Sequence, residues 1–283
     1  MELVLVSCYI CGSERSKVWA NENGYQMVKC LTCGLVYLNP RPTLRGIDEA
    51  SRTGIHRSEK GNINTIGRYS RRKASEFSRK ISELFPDAEL GSRTCRWLDV
   101  GAGYGELIQA VRGLTAPGSE IVGIEPCEAK AKKAKALGLT ITKGGISDLH
   151  GRYTHVSLVN VFSHLPDPVE FLAEIKSVME HGCQLVLVTG NGGDIERQDF
   201  PGSLYLPDHL SFVGECHLKS ILQKVGYHIR VLKAYKNALA YDNCLVGLMK
   251  NIGRLALKRP WVPLFVPESS PFRSLWVRAE LDH

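Results

Sequence analysis

The sequence predicts an α/β fold: a doubly wound, mostly parallel sheet of seven strands, preceded by a small cysteine-bearing module and a helical connector. Three observations carry this expectation. Short apolar runs alternate with segments of helical period from Arg93 onward, a glycine-rich loop follows the first run, and two Cys-x-x-Cys pairs precede them all. The boundaries fall at residues 1–42 for the cysteine module, 43–90 for the connector and 91–283 for the strand and helix domain.

The connector comes first in the reasoning because it holds the charge. The 283-residue chain has a formal net charge of +7, and from Arg52 to Lys80 nine Lys and Arg face only Glu59 and Glu76. Apolar residues at Ile66, Tyr69, Ala74, Phe77, Ile81 and Leu84 predict one amphipathic helix stopped by Pro86. Beyond it, strands are expected at Arg96–Val100, Glu120–Ile124, Leu139–Thr142, Val156–Val161, Gln184–Thr189, His228–Ala234 and Ser274–Leu281. Helices are expected at Gly105–Gly113, Cys127–Leu137, Pro168–Met179, Leu218–Val225 and within Asn237–Leu257. No apolar run reaches the roughly 18 residues that span a bilayer. Met1–Val6 lacks a basic leader, and the odd total of nine cysteines suits a reducing compartment, so a soluble cytoplasmic protein is expected.

The loop Gly101-Ala102-Gly103-Tyr104-Gly105 lies between a predicted strand and a predicted helix, where backbone approaches a ligand closely. A dinucleotide fingerprint requires glycine at position 106, where this chain has Glu106. Glu125, 22 residues after Gly103, closes the second strand, where a carboxylate accepts hydrogen bonds from ribose hydroxyls. Glycines serving only as tight turns leave Glu125 unexplained.

With Asp99-Val-Gly-Ala-Gly103, Glu125 and Asn160-Val-Phe-Ser-His164-Leu-Pro-Asp-Pro168, the sequence resembles the class I S-adenosylmethionine-dependent methyltransferases, which have a Rossmann-like fold. The likeness covers roughly Arg93 to Ala234. It implies S-adenosylmethionine as cofactor, held by Asp99, Gly101, Ala102, Gly103, Glu125, Pro126, Ile146 and Asn160. Two family acids are missing, replaced by Gly145 and Thr154, so Asp148 or backbone groups are the remaining candidates for the adenine.

Cys8-x-x-Cys11 and Cys30-x-x-Cys33, eighteen residues apart, match a closed four-thiolate zinc site, which is structural because no coordination position stays open. A redox role needs only one pair and leaves the other without a purpose. The stretch Cys33-Gly-Leu-Val-Tyr37-Leu-Asn-Pro-Arg-Pro42 resembles the junction in bacterial methyltransferases that carry a zinc-binding module and act on sugars or on natural-product and polysaccharide intermediates.

Methyl transfer to a hydroxyl or carbon acid needs a base, and histidine suits neutral pH. His209, with Asp208 beside it, is the first candidate, and His164 at the end of the fourth strand is the second. Ser163 replaces the acid that quinone-type relatives carry before this histidine, which weighs against metal-assisted transfer. Tyr205 and Gly190–Asp194 are weaker pocket candidates. The expected activity is methylation of a small molecule that carries an anionic group if the basic connector meets it, with homo-oligomerisation left open. Two alternatives stand beside it: an RNA or DNA methyltransferase that docks through the ribbon and connector, and a non-catalytic protein that keeps the cofactor fold.

Overall fold

The computed structural model describes residues 2–59, 61–86, 89–149, 151–200, 202–236, 244–257 and 271–281. Its largest sheet has seven strands: Arg96–Val100 (β1), Glu120–Glu125 (β2), Ile141–Lys143 (β3), Tyr153–Val159 (β4), Met179–Gly190 (β5), Tyr227–Lys236 (β6) and Arg273–Leu281 (β7). They lie in the order β3-β2-β1-β4-β5-β7-β6. Neighbours from β3 to β5 are parallel, and β7 runs antiparallel between β5 and β6, so β6 points the same way as the parallel set. The order reverses on either side of β1, which makes the carboxyl ends of β1 and β4 the place where such sheets bind ligands.

Helices Leu44–Thr53 (α1), Arg71–Leu84 (α2), Glu106–Arg112 (α3), Glu128–Ala136 (α4), Pro168–Glu174 (α5), Glu215–Lys224 (α6) and Cys244–Ala256 (α7) accompany it. Alternate residues of the buried strands feed two cores, as a period of two requires. Leu98, Val156, Leu158, Leu185 and Leu187 pack with Leu172 of α5 and with Leu218, Ile221 and Leu222 of α6. On the opposite face Trp97, Val186, Val188 and Trp276 pack with Phe77, Ile81 and Leu84 of α2 and Ile108 and Val111 of α3. At about 25 cal/mol per Å² of apolar surface, these layers supply most of the driving force for folding.

The connector departs from the single helix expected. α1 is capped by the Thr43 hydroxyl, which accepts from the Gly46 amide, and ends at Gly54 in the left-handed region. A hairpin follows, Ile55–Ser58 against Gly61–Asn64. α2 starts at Arg71 because Ser70 caps it, its hydroxyl accepting from the Lys73 amide. Ile66 and Tyr69, read as helical from their spacing, therefore precede the helix. The expected helix Pro168–Met179 also divides into α5, a tighter turn Ile175–Val178 and the first residue of β5. Residues 237–243 of the expected Asn237–Leu257 helix, and most of the Pro-rich segment after it, lie outside the described residues.

The N-terminal strands Ser16–Glu22, Tyr25–Cys30 and Val36–Leu38 form an antiparallel sheet. Its hairpin turns at Asn23-Gly24, both at positive φ, the pair that two-residue turns favour. A fourth strand, Ser211–Phe212, comes from the segment after β5 and pairs with Tyr37 and Val36. Cys8, Val28, Cys30, Leu35 and Tyr37 belong to the same core cluster as Leu98 and Leu158. The cysteine module is thus welded to the large domain by a shared strand and a shared core.

Candidate active site

β1 ends in Asp99-Val100, after which Gly101 (φ 69°) and Gly103 (φ 57°) turn the chain toward α3. Gly101 is required twice over: its φ is left-handed, and a Cβ there would lie 2.5 Å from Val161 Cγ2. Glu125, buried at the end of β2, accepts the Gly103 amide on Oε2 at 2.8 Å and the Cys127 amide on Oε1 at 2.9 Å. A carboxylate has about four acceptor positions, so each oxygen retains room for a further donor. Asp99 is buried beneath the loop; Ser157 donates to it at 2.7 Å while accepting Trp97 Nε1–H at 2.9 Å. Burial, outweighing the Ser157 bond, lifts its carboxyl to about 7.

A cavity of about 730 Å³ is lined by Gly101, Glu125, Pro126, Ile146, Asn160 and His164, among others. A smaller one of about 310 Å³ adjoins it through Gly101, Glu125 and Asn160 and reaches Asp99, Ala102, Gly103, Arg68 and Lys73. All eight residues expected to hold the cofactor therefore line one or both of these adjoining cavities. Asn160 adopts φ 57°, which asparagine tolerates, and its amide donates to the Val188 carbonyl. Asp148 accepts the Gly145 amide at 2.9 Å. Thr154 sits at the start of β4, bonded to the backbone of Arg96.

The histidines are arranged differently from their order in the sequence. Asp208 faces His164, not His209: His164 Nδ1 is 2.8 Å from the Asp208 carbonyl and 3.1 Å from its carboxylate. Both partners are acceptors, which puts the proton on Nδ1 and leaves Nε2 as the basic nitrogen. His56 Nε2 donates to the same carboxylate oxygen at 3.0 Å. Burial disfavours a charged His164, yet the Asp208 carboxylate prevails and its pKa rises; burial likewise opposes ionised Asp208, but the two imidazoles hold it far below the usual carboxylate range.

The His209 ring lies 4.8 Å from that of His164, tilted 40° to it, and its Nδ1 donates to the Leu204 carbonyl at 2.8 Å. Burial, then the His164 charge, lower it to about 4. His56, Asp208 and His164 border the large cleft, whereas Tyr205 is exposed and Asn191 is bonded to Pro271 and Arg273.

The Asp208 loop is held by the N-terminal module. Glu22 accepts from the Ser203 hydroxyl at 2.8 Å and from the Leu204 and Leu206 amides at 2.8 and 3.2 Å. Asn23 Nδ2 donates to the Leu206 carbonyl at 2.8 Å. Replacing Glu22 with alanine is expected to lower turnover about tenfold or more while leaving affinity for S-adenosylhomocysteine unchanged, since a small displacement of reacting groups is costly. Steady-state kinetics beside calorimetry would check this, and a parallel loss of cofactor affinity would contradict it.

Cys8, Cys11, Cys30 and Cys33 bring their sulfurs within 4.8 Å of one another. Cys8 and Cys33 are 3.4 Å apart and Cys11 and Cys30 3.6 Å, close to the about 3.8 Å between thiolates of a tetrahedral zinc with 2.3 Å bonds. Burial pushes the Cys8 thiol up to about 11 despite the Cys11 and Ile10 amides; for Cys30 the amides of Cys33 and Thr32, with neighbouring thiols, overcome burial and bring it down to about 7. Amides aimed at sulfur fit thiolate ligands. His217 Nε2 donates to the Cys33 carbonyl at 2.7 Å, joining the knuckle to α6.

A family model described as a methyltransferase domain matches residues 69–231, and the chain belongs to that family, as a class I S-adenosylmethionine-dependent methyltransferase. No curated protein matches the sequence. Among solved structures, a putative sarcosine dimethylglycine methyltransferase from Galdieria sulphuraria aligns with TM-score 0.52 and 15% identity over 75% of this chain and 86% of its own. An S-adenosylmethionine-dependent methyltransferase from Mesorhizobium loti aligns with TM-score 0.50 and 16% identity over 71% and 96%. The plantazolicin methyltransferase BamL, solved with a desmethyl analogue and S-adenosylhomocysteine, aligns with TM-score 0.50 and 14% identity over 76% and 86%. These likenesses establish the fold.

Proposed function

We propose that the chain methylates a small molecule, a sugar, nucleotide sugar or natural-product or polysaccharide intermediate, with His164 as base and Asp208 as the group that orients and strengthens it. The observation that carries this reading is that His164 and Asp208 border the same cleft as Gly101 and Glu125. S-adenosylmethionine, when bound, supplies an electrophilic methyl group. Glu125 has free acceptor positions for both ribose hydroxyls, and Ile146 and Pro126 offer apolar surface to the adenine. Asp99 offers a carboxyl whose ionisation a nearby cation favours. His164 Nε2 takes the proton from an acceptor hydroxyl or activated carbon, and Lys130, in the lining of both cavities, supports an anionic group on the acceptor.

The ribbon's four cysteines would hold one zinc ion, which supplies a cross-link rather than chemistry. Against nucleic-acid docking, four of the connector's nine cations from Arg52 to Lys80 already pair within the chain: Arg52 with Asp48, Arg57 with Glu49, Arg79 with Glu83 and the buried Lys80 with Glu76. Calorimetry with S-adenosylmethionine and S-adenosylhomocysteine tests the cofactor site. Wild type is expected to bind both, and Glu125→Ala to bind at least about tenfold more weakly, since hydrogen bonds to a charged group are worth about 1.5–3 kcal/mol. Absence of binding to wild type would overturn the reading.

A further inference from the structure

Glu106 stands where a dinucleotide fingerprint has glycine, and the proposed reaction gives it no task. It is buried, 5% exposed, and lines the smaller cavity of about 310 Å³ together with Asp99. Among the described residues its one hydrogen-bond donor is the Ser70 amide, 3.2 Å from Oε1. A carboxylate has about four acceptor positions, so most of Glu106's stay open. Asp99 is served as sparingly, with Ser157 its one donor among the described residues. The two acids oppose each other's ionisation, and buried carboxylates require a cation or a full set of donors. The same cavity is lined by Arg68 and Lys73 of the connector, both exposed and neither in an ion pair with a described residue. Lys73 Nζ lies 5.3 Å from the centre of the Phe77 ring, another part of the lining, and its charge favours ionised Asp99.

Two acids short of donors and two cations short of acids, around one small cavity, match a zwitterion. We propose that Glu106 is a cofactor-binding residue: with Asp99 it holds the α-ammonium at the methionine end of S-adenosylmethionine, while Lys73 and Arg68 hold the α-carboxylate. The ammonium supplies the donors and the positive charge that both acids lack, and hydrogen bonds between charged groups are the strong ones. The carboxylate in turn gives the two connector cations a partner. Glu106 also receives the amide of Ser70, the residue that caps α2, so one carboxyl serves both the cofactor and the start of the connector helix. This assignment rests on the cofactor site described above and extends it to the end of the ligand that Glu125 and Ile146 do not reach.

The test is calorimetry of the full chain with two ligands, by competition where binding is weak. S-adenosylhomocysteine carries the amino-acid zwitterion, and 5′-methylthioadenosine keeps the adenosine thioether without it. Wild type is expected to bind the first at least about tenfold more tightly than the second. Glu106→Gln retains an acceptor oxygen for the Ser70 amide but loses the charge. It is expected to bind S-adenosylhomocysteine about tenfold or more weakly than wild type, and 5′-methylthioadenosine within about twofold of wild type. Lys73→Met, which can still pack on Phe77, should show the same selective loss at about threefold to tenfold, smaller because Lys73 is exposed. Equal wild-type affinity for the two ligands, or undiminished affinity of Glu106→Gln for S-adenosylhomocysteine, would overturn the proposal. So would equal losses for both ligands, the mark of a Glu106 that only anchors the connector. Wild type that binds neither ligand would overturn the cofactor reading itself, and this assignment with it.

Discussion

Replacing His164 with alanine is expected to lower turnover by about 10²-fold to 10⁴-fold, the usual cost of losing a positioned base, while S-adenosylhomocysteine binds as before. The pH profile carries the sharper information. His164 acts as a base only when neutral, so activity must rise as pH passes upward through its pKa, which Asp208 holds above the ordinary 6.5. Asp208→Asn removes the negative charge that stabilises the imidazolium. The limb should then move to lower pH even as the maximal rate falls, because the orienting carboxylate is gone. A base at His209 would put the limb near 4 instead. Full activity in His164→Ala, or an acid limb unmoved by Asp208→Asn, would sink the assignment.

How far this site can be read from the sequence depends on whether its parts are local or distant. The loop from Asp99 to Gly105 and the carboxylate of Glu125 follow from short patterns, because each turn and strand end is dictated by the residues beside it. The four cysteines are legible for the same reason, two tight knuckles at fixed spacing. The partner of Asp208 is not: adjacency favours His209, but the Leu204 carbonyl claims that ring's Nδ1, and the aspartate turns instead to His164, 44 residues away in sequence. His56 carries no local signal at all, since it lies in a short hairpin of mixed polarity with no apolar period of its own. Glu22 is equally hidden, because a charged residue at the end of an edge strand looks like a solvated one until the loop it holds is in view. The seven-strand pattern is legible because β1, β4 and β5 each carry a short apolar stretch, Trp97-Leu98, Leu158-Val159 and Leu185–Val188, whereas helix starts depend on single hydroxyl caps such as Ser70.

Cys30→Ser is expected to abolish stoichiometric zinc and to lower both thermal stability and turnover. Structural zinc contributes on the order of 10–16 kcal/mol of apparent binding energy in small zinc-finger peptides, and there binding energy is folding energy. Only part of that should appear here, because the ribbon also shares a core and a strand with the large domain. The path to activity is specific. The cysteines anchor the sheet whose hairpin presents Glu22 and Asn23 to residues 203–206, and Val36 and Tyr37 pair with the strand just after His209. Loosening that sheet frees the Asp208 loop, and with it the group that strengthens His164. The Gly101 loop and Glu125 are built on β1 and β2, so S-adenosylhomocysteine should still bind in the variant below its melting temperature. Metal analysis, scanning calorimetry and cofactor titration on the same preparation separate these effects. Zinc-free wild type, or a Cys30→Ser variant that keeps both its metal and its turnover, would refute the structural role; loss of turnover with retained cofactor affinity is the signature of a metal that acts through the Asp208 loop.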